Sequence, residues 1–146
     1  MKLFKQIPLY RYLALCNESK NLEKKVLDCG AGGETPPLSL FYSYGYSTTG
    51  IDIDLSQVEK ANQFGLQRGQ NLNIQQGNMM SLEFEDESFS FVYSYNSIFH
   101  MMKDQVERAF LEMKRVTSKK GLIFVNFLTT NDFRVGEGKS YVLSIR

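Results

Sequence analysis

The chain has no tryptophan, one histidine, two cysteines and three prolines among 146 residues, and no charge of one sign dominates. Cys16 and Cys29 share no CxxC spacing, and His100 is the only imidazole, so neither a zinc cluster nor a disulfide framework is available. Two unbonded thiols fit a reducing, cytoplasmic setting. No run approaches the ~20 apolar residues of a spanning helix, since Asn126 interrupts the most apolar stretch, Leu122 to Leu128. The basic start MKLFKQIPLYRYLALC has its apolar part split by Arg11 and no small-x-small cleavage site after it, so it reads as mature sequence. Seventeen basic against sixteen acidic residues leave a net charge of +1 and no basic stripe, which gives nucleic acid no support as a partner. With 13% aromatics and no tryptophan, the rings are better suited to core packing than to a base-stacking platform.

What is present is 42% hydrophobic residues arranged in alternating extended and helical segments, the pattern of a parallel sheet with crossover helices. Residues 1–24 predict an amphipathic lead-in helix with Leu9, Tyr12, Leu13 and Cys16 inward. Strands are expected over 24–30, 47–54, 73–77, 88–95 and 121–128, with a sixth at Tyr141 to Ile145. Helices are expected over 34–45, Ser56 to Arg68 and Lys103 to Val116, with Pro36 and Pro37 tolerated in a first helical turn. The run Glu83, Glu85, Asp86, Glu87 reads as a solvated loop. No repeat or linker divides the chain, so 1–146 is expected to be one domain: a lead-in over 1–24, a binding core over 25–128 and a tail over 129–146.

The informative segment is VLDCGAGGE, 26–34, where Gly30 and Gly32 stand at a strand-to-helix turn. Glycine lets backbone N–H groups approach a ligand there, and a following helix would add partial positive charge, so a polar or anionic ligand part is expected. The dinucleotide fingerprint G-x-G-x-x-G fails, because the sixth position is Thr35. Instead, Asp28 precedes Gly30 by two residues, and a carboxylate holds an ammonium but repels a pyrophosphate. Asp52, twenty-two positions after Gly30, is placed to accept ribose hydroxyls, as an acid is in nicotinamide enzymes too, and Asp54 suits a helix cap. Asn78 and the Met79 N–H could meet a purine amine and a ring nitrogen. GKS at 138–140 is no phosphate loop, since Phe133 stands where its first glycine belongs.

Five stretches in register, LDCGAGGE, GIDIDLS, GNMMSLEFEDESFSFVYS, His100 and EMKRVTSKKG, resemble the class I S-adenosylmethionine-dependent methyltransferases over residues 26 to about 128. The resemblance implies a Rossmann-like, doubly wound, mainly parallel α/β sheet with helices on both faces. It implies S-adenosylmethionine as cofactor, with Asp28, Gly30, Ala31 and Gly32 at its methionine part, Asp52 at the ribose and Ile53 on the adenine. Asn78, with Met79 beside it, stands where the family has an aspartate near the adenine amino group, and Ser94 and Tyr95 would face the sulfonium and the substrate channel. His100 lies where the family often has a histidine and is the candidate base or substrate contact.

Departures are Glu34 at the third motif glycine, Ser90 for an aspartate and Thr117-Ser118-Lys119-Lys120 for the turn before the fifth strand. Glu34 puts a negative charge beside the methionine carboxylate unless it points away. Family members normally continue with two further strands, the last antiparallel, whereas eighteen residues follow Leu128, so the last of the usual seven strands are expected to be incomplete. An exposed edge would favour a homodimer. The Asn/Asp-Pro-Pro-Tyr/Phe motif of amide- and base-directed enzymes is absent, with Ser94-Tyr95-Asn96-Ser97 in its place, which points to a small-molecule methyl acceptor. The rival readings are a non-catalytic cofactor-binding or interaction module and a nicotinamide oxidoreductase.

Overall fold

A computed structural model describes residues 7–98, 101–127 and 139–144. Ten elements follow in order: α1 (Ile7–Glu18), β1 (Lys25–Cys29), α2 (Leu38–Ser43), β2 (Ser47–Asp52), α3 (Leu55–Gln67), β3 (Ile74–Gln76), β4 (Phe89–Ser94), α4 (Lys103–Val116), β5 (Thr117–Phe127) and β6 (Lys139–Ser144). The strands form one sheet in the order β3-β2-β1-β4-β5-β6, parallel except that β6 runs antiparallel to β5. The chain winds outward through β2 and β3, then crosses back to β4, which pairs with β1. That reversal leaves a crevice at the carboxyl ends of β1 and β4, where open α/β sheets hold ligands.

The strand period of two sorts side chains between the faces. Val26, Phe91, Tyr93 and Phe124 join one core with Leu9, Tyr12, Leu13 and Cys16 of α1, Leu38 and Phe41 of α2, and Val58 and Ala61 of α3. Leu27, Cys29, Val92, Ile123 and Val125 face the other way, onto Met113 and Val116 of α4. β4 is buried along its whole length, which is why it reads FSFVYS with no charge. The Tyr12 hydroxyl penetrates to the sheet and donates to the Val92 carbonyl at 3.0 Å and the Leu122 carbonyl at 2.6 Å, pinning α1 across β4 and β5.

Three features differ from the sequence expectation. The helix expected over 34–45 is the six-residue α2, because Pro36 and Pro37 each disfavour helical backbone at the residue before them. β5 begins at Thr117 rather than 121: α4 runs straight into it, and the pairing slips from Phe89↔Thr117 to Phe91↔Leu122, with Lys120 at φ +67° absorbing the extra length. The acidic run is tied down in part. Arg115 of α4 donates to Asp86 (2.8 Å), to the carbonyls of Leu82 and Phe84 (2.9 and 2.7 Å) and to Glu112, which in turn accepts the Leu82 N–H at 2.7 Å. No described helix is long and apolar enough to cross a membrane.

Candidate functional site

The turn after β1 is closed by its own N–H groups. Gly30 and Ala31 both donate to the Ile51 carbonyl at 2.8 Å, Gly32 donates to Asp52 Oδ2 at 3.0 Å and Gly33 to the Gln57 carbonyl at 3.1 Å. Four successive donors are therefore spent on β2 and α3. This corrects the expectation of an anion-seeking turn, and the helix contribution fails with it, since α2 starts only at Leu38 and is six residues long. Gly30 adopts φ +93°, and a Cβ there would overlap the Ser97 side chain; one at Gly32 would meet Gln57 Cβ at 2.6 Å and Asp52 Oδ2 at 2.7 Å. Both glycines are needed for close approach within the protein.

What the crevice presents is acceptors. Asp52 ends β2 with Oδ2 held by Gly32 and Oδ1 by the Asp54 N–H at 3.0 Å, so the carboxylate is fixed while each oxygen keeps a second lone pair. Asp54 caps α3: its Oδ1 accepts the Ser56 N–H and hydroxyl at 2.9 and 2.7 Å, bonds that hold its pKa below the usual carboxylate range. Asn78 Oδ1 accepts the Met80 N–H at 2.9 Å, which sets the side chain beyond β3 with an acceptor position to spare.

Gly30, Asp52, Ile53, Asn78 and Met79 surround one cavity of about 300 Å³. Ile53 is 69% exposed at its edge. The cavity also takes in Gly77, Met80, Ser97, Met101 and Gln105, which sequence reasoning missed. Ser97 lies 67 positions from Gly30, whose carbonyl accepts weakly from its hydroxyl at 3.4 Å, and no local pattern announces such a contact.

Other sequence-predicted residues lie elsewhere. Ala31 is fully buried, and a Cβ at Gly50 would meet its methyl at 2.5 Å. Asp28 is 1% exposed beneath the turn, and neither carboxyl oxygen has a hydrogen-bond partner. Burial pushes this carboxyl up to about 8; the Tyr93 hydroxyl opposes that rise without reaching hydrogen-bonding geometry, and Asp52 reinforces it. Ser94 is fully buried with an unpartnered hydroxyl, and Tyr95 is half-buried against Phe124, so neither lines this cavity. Glu34 is exposed. His100 lies outside the described residues.

Comparison with known proteins accords with this layout. A methyltransferase domain model matches residues 27–125. The uncharacterized methyltransferase YcgJ of Bacillus subtilis is 34% identical over 100 residues, 68% of this chain and 38% of that protein. The sterol 24-C-methyltransferase ERG6B of Gibberella zeae is 31% identical over 103 residues, 69% of this chain and 27% of that one. The crystal structure of PH0226 from Pyrococcus horikoshii superposes with a TM-score of 0.73 at 26% identity, covering 87% of this chain and 57% of the other. The chain spans less than half the length of the curated relatives it matches. With the strand order, the acid-ended turn and a family match over most of its length, the chain belongs to the class I S-adenosylmethionine-dependent methyltransferases.

Proposed function

We propose that this chain binds S-adenosylmethionine in the crevice at the ends of β1, β2 and β3 and directs methyl transfer to a small-molecule acceptor by in-line displacement. The observation that carries the reading is the hydrogen-bond accounting of the turn: its four N–H groups are spent, while the Asp52 carboxylate and Asn78 Oδ1 keep acceptor positions beside the cavity. Such a site suits a ligand rich in donors and positive charge and repels a pyrophosphate. Bound S-adenosylmethionine supplies a methyl group on a sulfonium, already activated for displacement.

The protein's share is orientation, which can contribute roughly 7–11 kcal/mol to such a step. Asp52 would accept the ribose hydroxyls, Ile53 would pack on the adenine, and Asn78 Oδ1 would accept from the adenine amine, with the Met79 N–H at a ring nitrogen. Asp28, Gly30, Ala31 and Gly32 would form the floor under the methionine part. Ser94 and Tyr95 would shape the wall towards the sulfonium, and His100 would serve the acceptor as base or contact. A small-molecule acceptor is supported by the neutral charge balance and by Ser94-Tyr95-Asn96-Ser97 in place of the amide- and base-directed motif. The name of the sterol methyltransferase relative points the same way.

The test is calorimetry or thermal shift with S-adenosylhomocysteine beside NAD and ATP. Ligand at 100 times its dissociation constant should add about 2.7 kcal/mol of stability, and Asp52→Ala should weaken binding by about 10–100-fold. Stabilisation by NAD in preference would refute the reading. Labelled methyl donor offered to small-molecule, RNA and protein pools should mark the first; labelling confined to RNA or protein would overturn the acceptor class.

A further inference from the structure

The cavity beside Asp52 and Asn78 is walled by Ile51, Ile53 and the side chains of Met79, Met80 and Met101, and none of the described residues lining it is a lysine or an arginine. Gln105, alone of the described lining residues, stands on a helix, at the third position of α4. Its oxygen is already committed. Gln105 Oε1 accepts the Met102 N–H at 2.9 Å, the bond that caps α4, and because a backbone N–H can be met only by the amide oxygen, the two ends of the side-chain amide are told apart. Nε2 therefore carries both amide N–H groups on a side chain held in place by the cap, and among the described residues none accepts from them. A pocket with apolar walls and a few fixed polar groups reads a flat ligand through those groups. The ring nitrogens of a purine only accept, so a base enclosed here without a donor would forfeit the bonds it makes to water.

We propose that Gln105 is a specificity-determining residue of this cavity: its amide, fixed by the α4 cap, donates from Nε2 to a ring nitrogen of the adenine and complements the acceptor that Asn78 Oδ1 offers the adenine amine. The inference rests on the cofactor reading above and extends it to α4, an element that the strand-end residues do not involve. It also ties binding to the start of that helix, because the amide that meets the base is the one that holds the Met102 N–H.

The two roles of Gln105 separate in one substitution. Gln105→Glu keeps the length of the side chain and an oxygen for the Met102 N–H, and an acid in the first helical turn suits the helix dipole, so the unliganded protein should melt no lower than wild type. The second carboxylate oxygen replaces the donor with an acceptor, which faces the lone pair of the ring nitrogen.

The experiment is calorimetric titration of wild type and Gln105→Glu with S-adenosylhomocysteine, with 5′-methylthioadenosine, which lacks the amino acid end, and with the 1-, 3- and 7-deaza analogues of S-adenosylhomocysteine. Gln105→Glu should bind the first two about 10–100-fold more weakly than wild type does. In one of the deaza analogues a C–H stands in place of the partner nitrogen, and for that analogue the difference between the two proteins should vanish or reverse. Wild type gives a second reading by itself: 5′-methylthioadenosine should slow hydrogen exchange of the Met102 amide. Undiminished binding by Gln105→Glu, a loss confined to S-adenosylhomocysteine, an equal loss for all three deaza analogues, or unchanged exchange at Met102 would overturn this inference and leave the cofactor reading standing. Failure of wild type to bind S-adenosylhomocysteine would overturn both.

Discussion

Alanine at Gly30 should destabilise the protein by two separable effects. The residue adopts φ +93°, where an L side chain costs about 1–3 kcal/mol. A Cβ would also overlap the Ser97 hydroxyl and lie 2.5 Å from Ser97 Cβ, an overpacking that adds about 1–3 kcal/mol. The sum, about 2–6 kcal/mol, is a large share of the 5–15 kcal/mol that typically separates folded from unfolded chains. Gly33 provides the control: at φ +112° its added Cβ would meet nothing nearer than Gln57 Oε1 at 3.8 Å, so Gly33→Ala should show the backbone cost alone. Ser97→Gly should cost little, because its hydroxyl bonds are long, 3.4 Å to the Gly30 carbonyl and 3.3 Å to that of Tyr95. In the Gly30→Ala/Ser97→Gly double variant the overlap disappears, giving a coupling of about 1–3 kcal/mol in a denaturant cycle, equivalent to roughly 3–5 °C in Tm per kcal/mol. Equal destabilisation by Gly30→Ala and Gly33→Ala, or an additive double variant, would refute the packing argument.

Tyr12→Phe should cost about 1–3 kcal/mol in urea unfolding, since it leaves the carbonyls of Val92 and Leu122 short of a donor inside the core. Arg115→Ala should cost about 2–3 kcal/mol and speed amide exchange over residues 82–86, whereas Asp86→Ala should stay within about 0.5 kcal/mol because that carboxylate is 74% exposed. Asp54→Ala should lower Tm through loss of the α3 cap at neutral pH. Because the folded carboxyl is more acidic than the unfolded one, its contribution stands above pH about 4 and fades as pH falls through the folded value. The difference in Tm between wild type and Asp54→Ala should therefore shrink in acid, and a constant difference would contradict the assignment.

The strands were legible where burial forces composition: β4 has no charge because both its faces are covered, and α1 shows its buried Leu9, Tyr12, Leu13 and Cys16 at helical spacing. The start of β5 was not legible, since only Thr117 pairs, with Phe89, before the register slips to Phe91↔Leu122, and the polar residues Thr117 to Lys120 leave no hydrophobic trace. Asp52 and Asp54 were separable in advance because a cap and a strand-end carboxylate occupy different positions relative to the helix start. Ser97, Met101 and Gln105 reach the cavity only through the return of the chain after β4, a matter of distance in space with no local signature.

By itself the sequence determined the alternating architecture, the family and the acid-ended glycine turn, since all three are written in the order and spacing of residues along one strand or helix at a time. Whether that turn offers donors or acceptors was decided only by the tertiary structure. A backbone N–H carries no mark in the sequence of where it will be satisfied, and here the carbonyls of Ile51 and Gln57 and the carboxylate of Asp52, brought alongside by the β1–β2 pairing and the packing of α3, take all four. The same folding removes Asp28 from water beside Tyr93, and that burial raises its pKa.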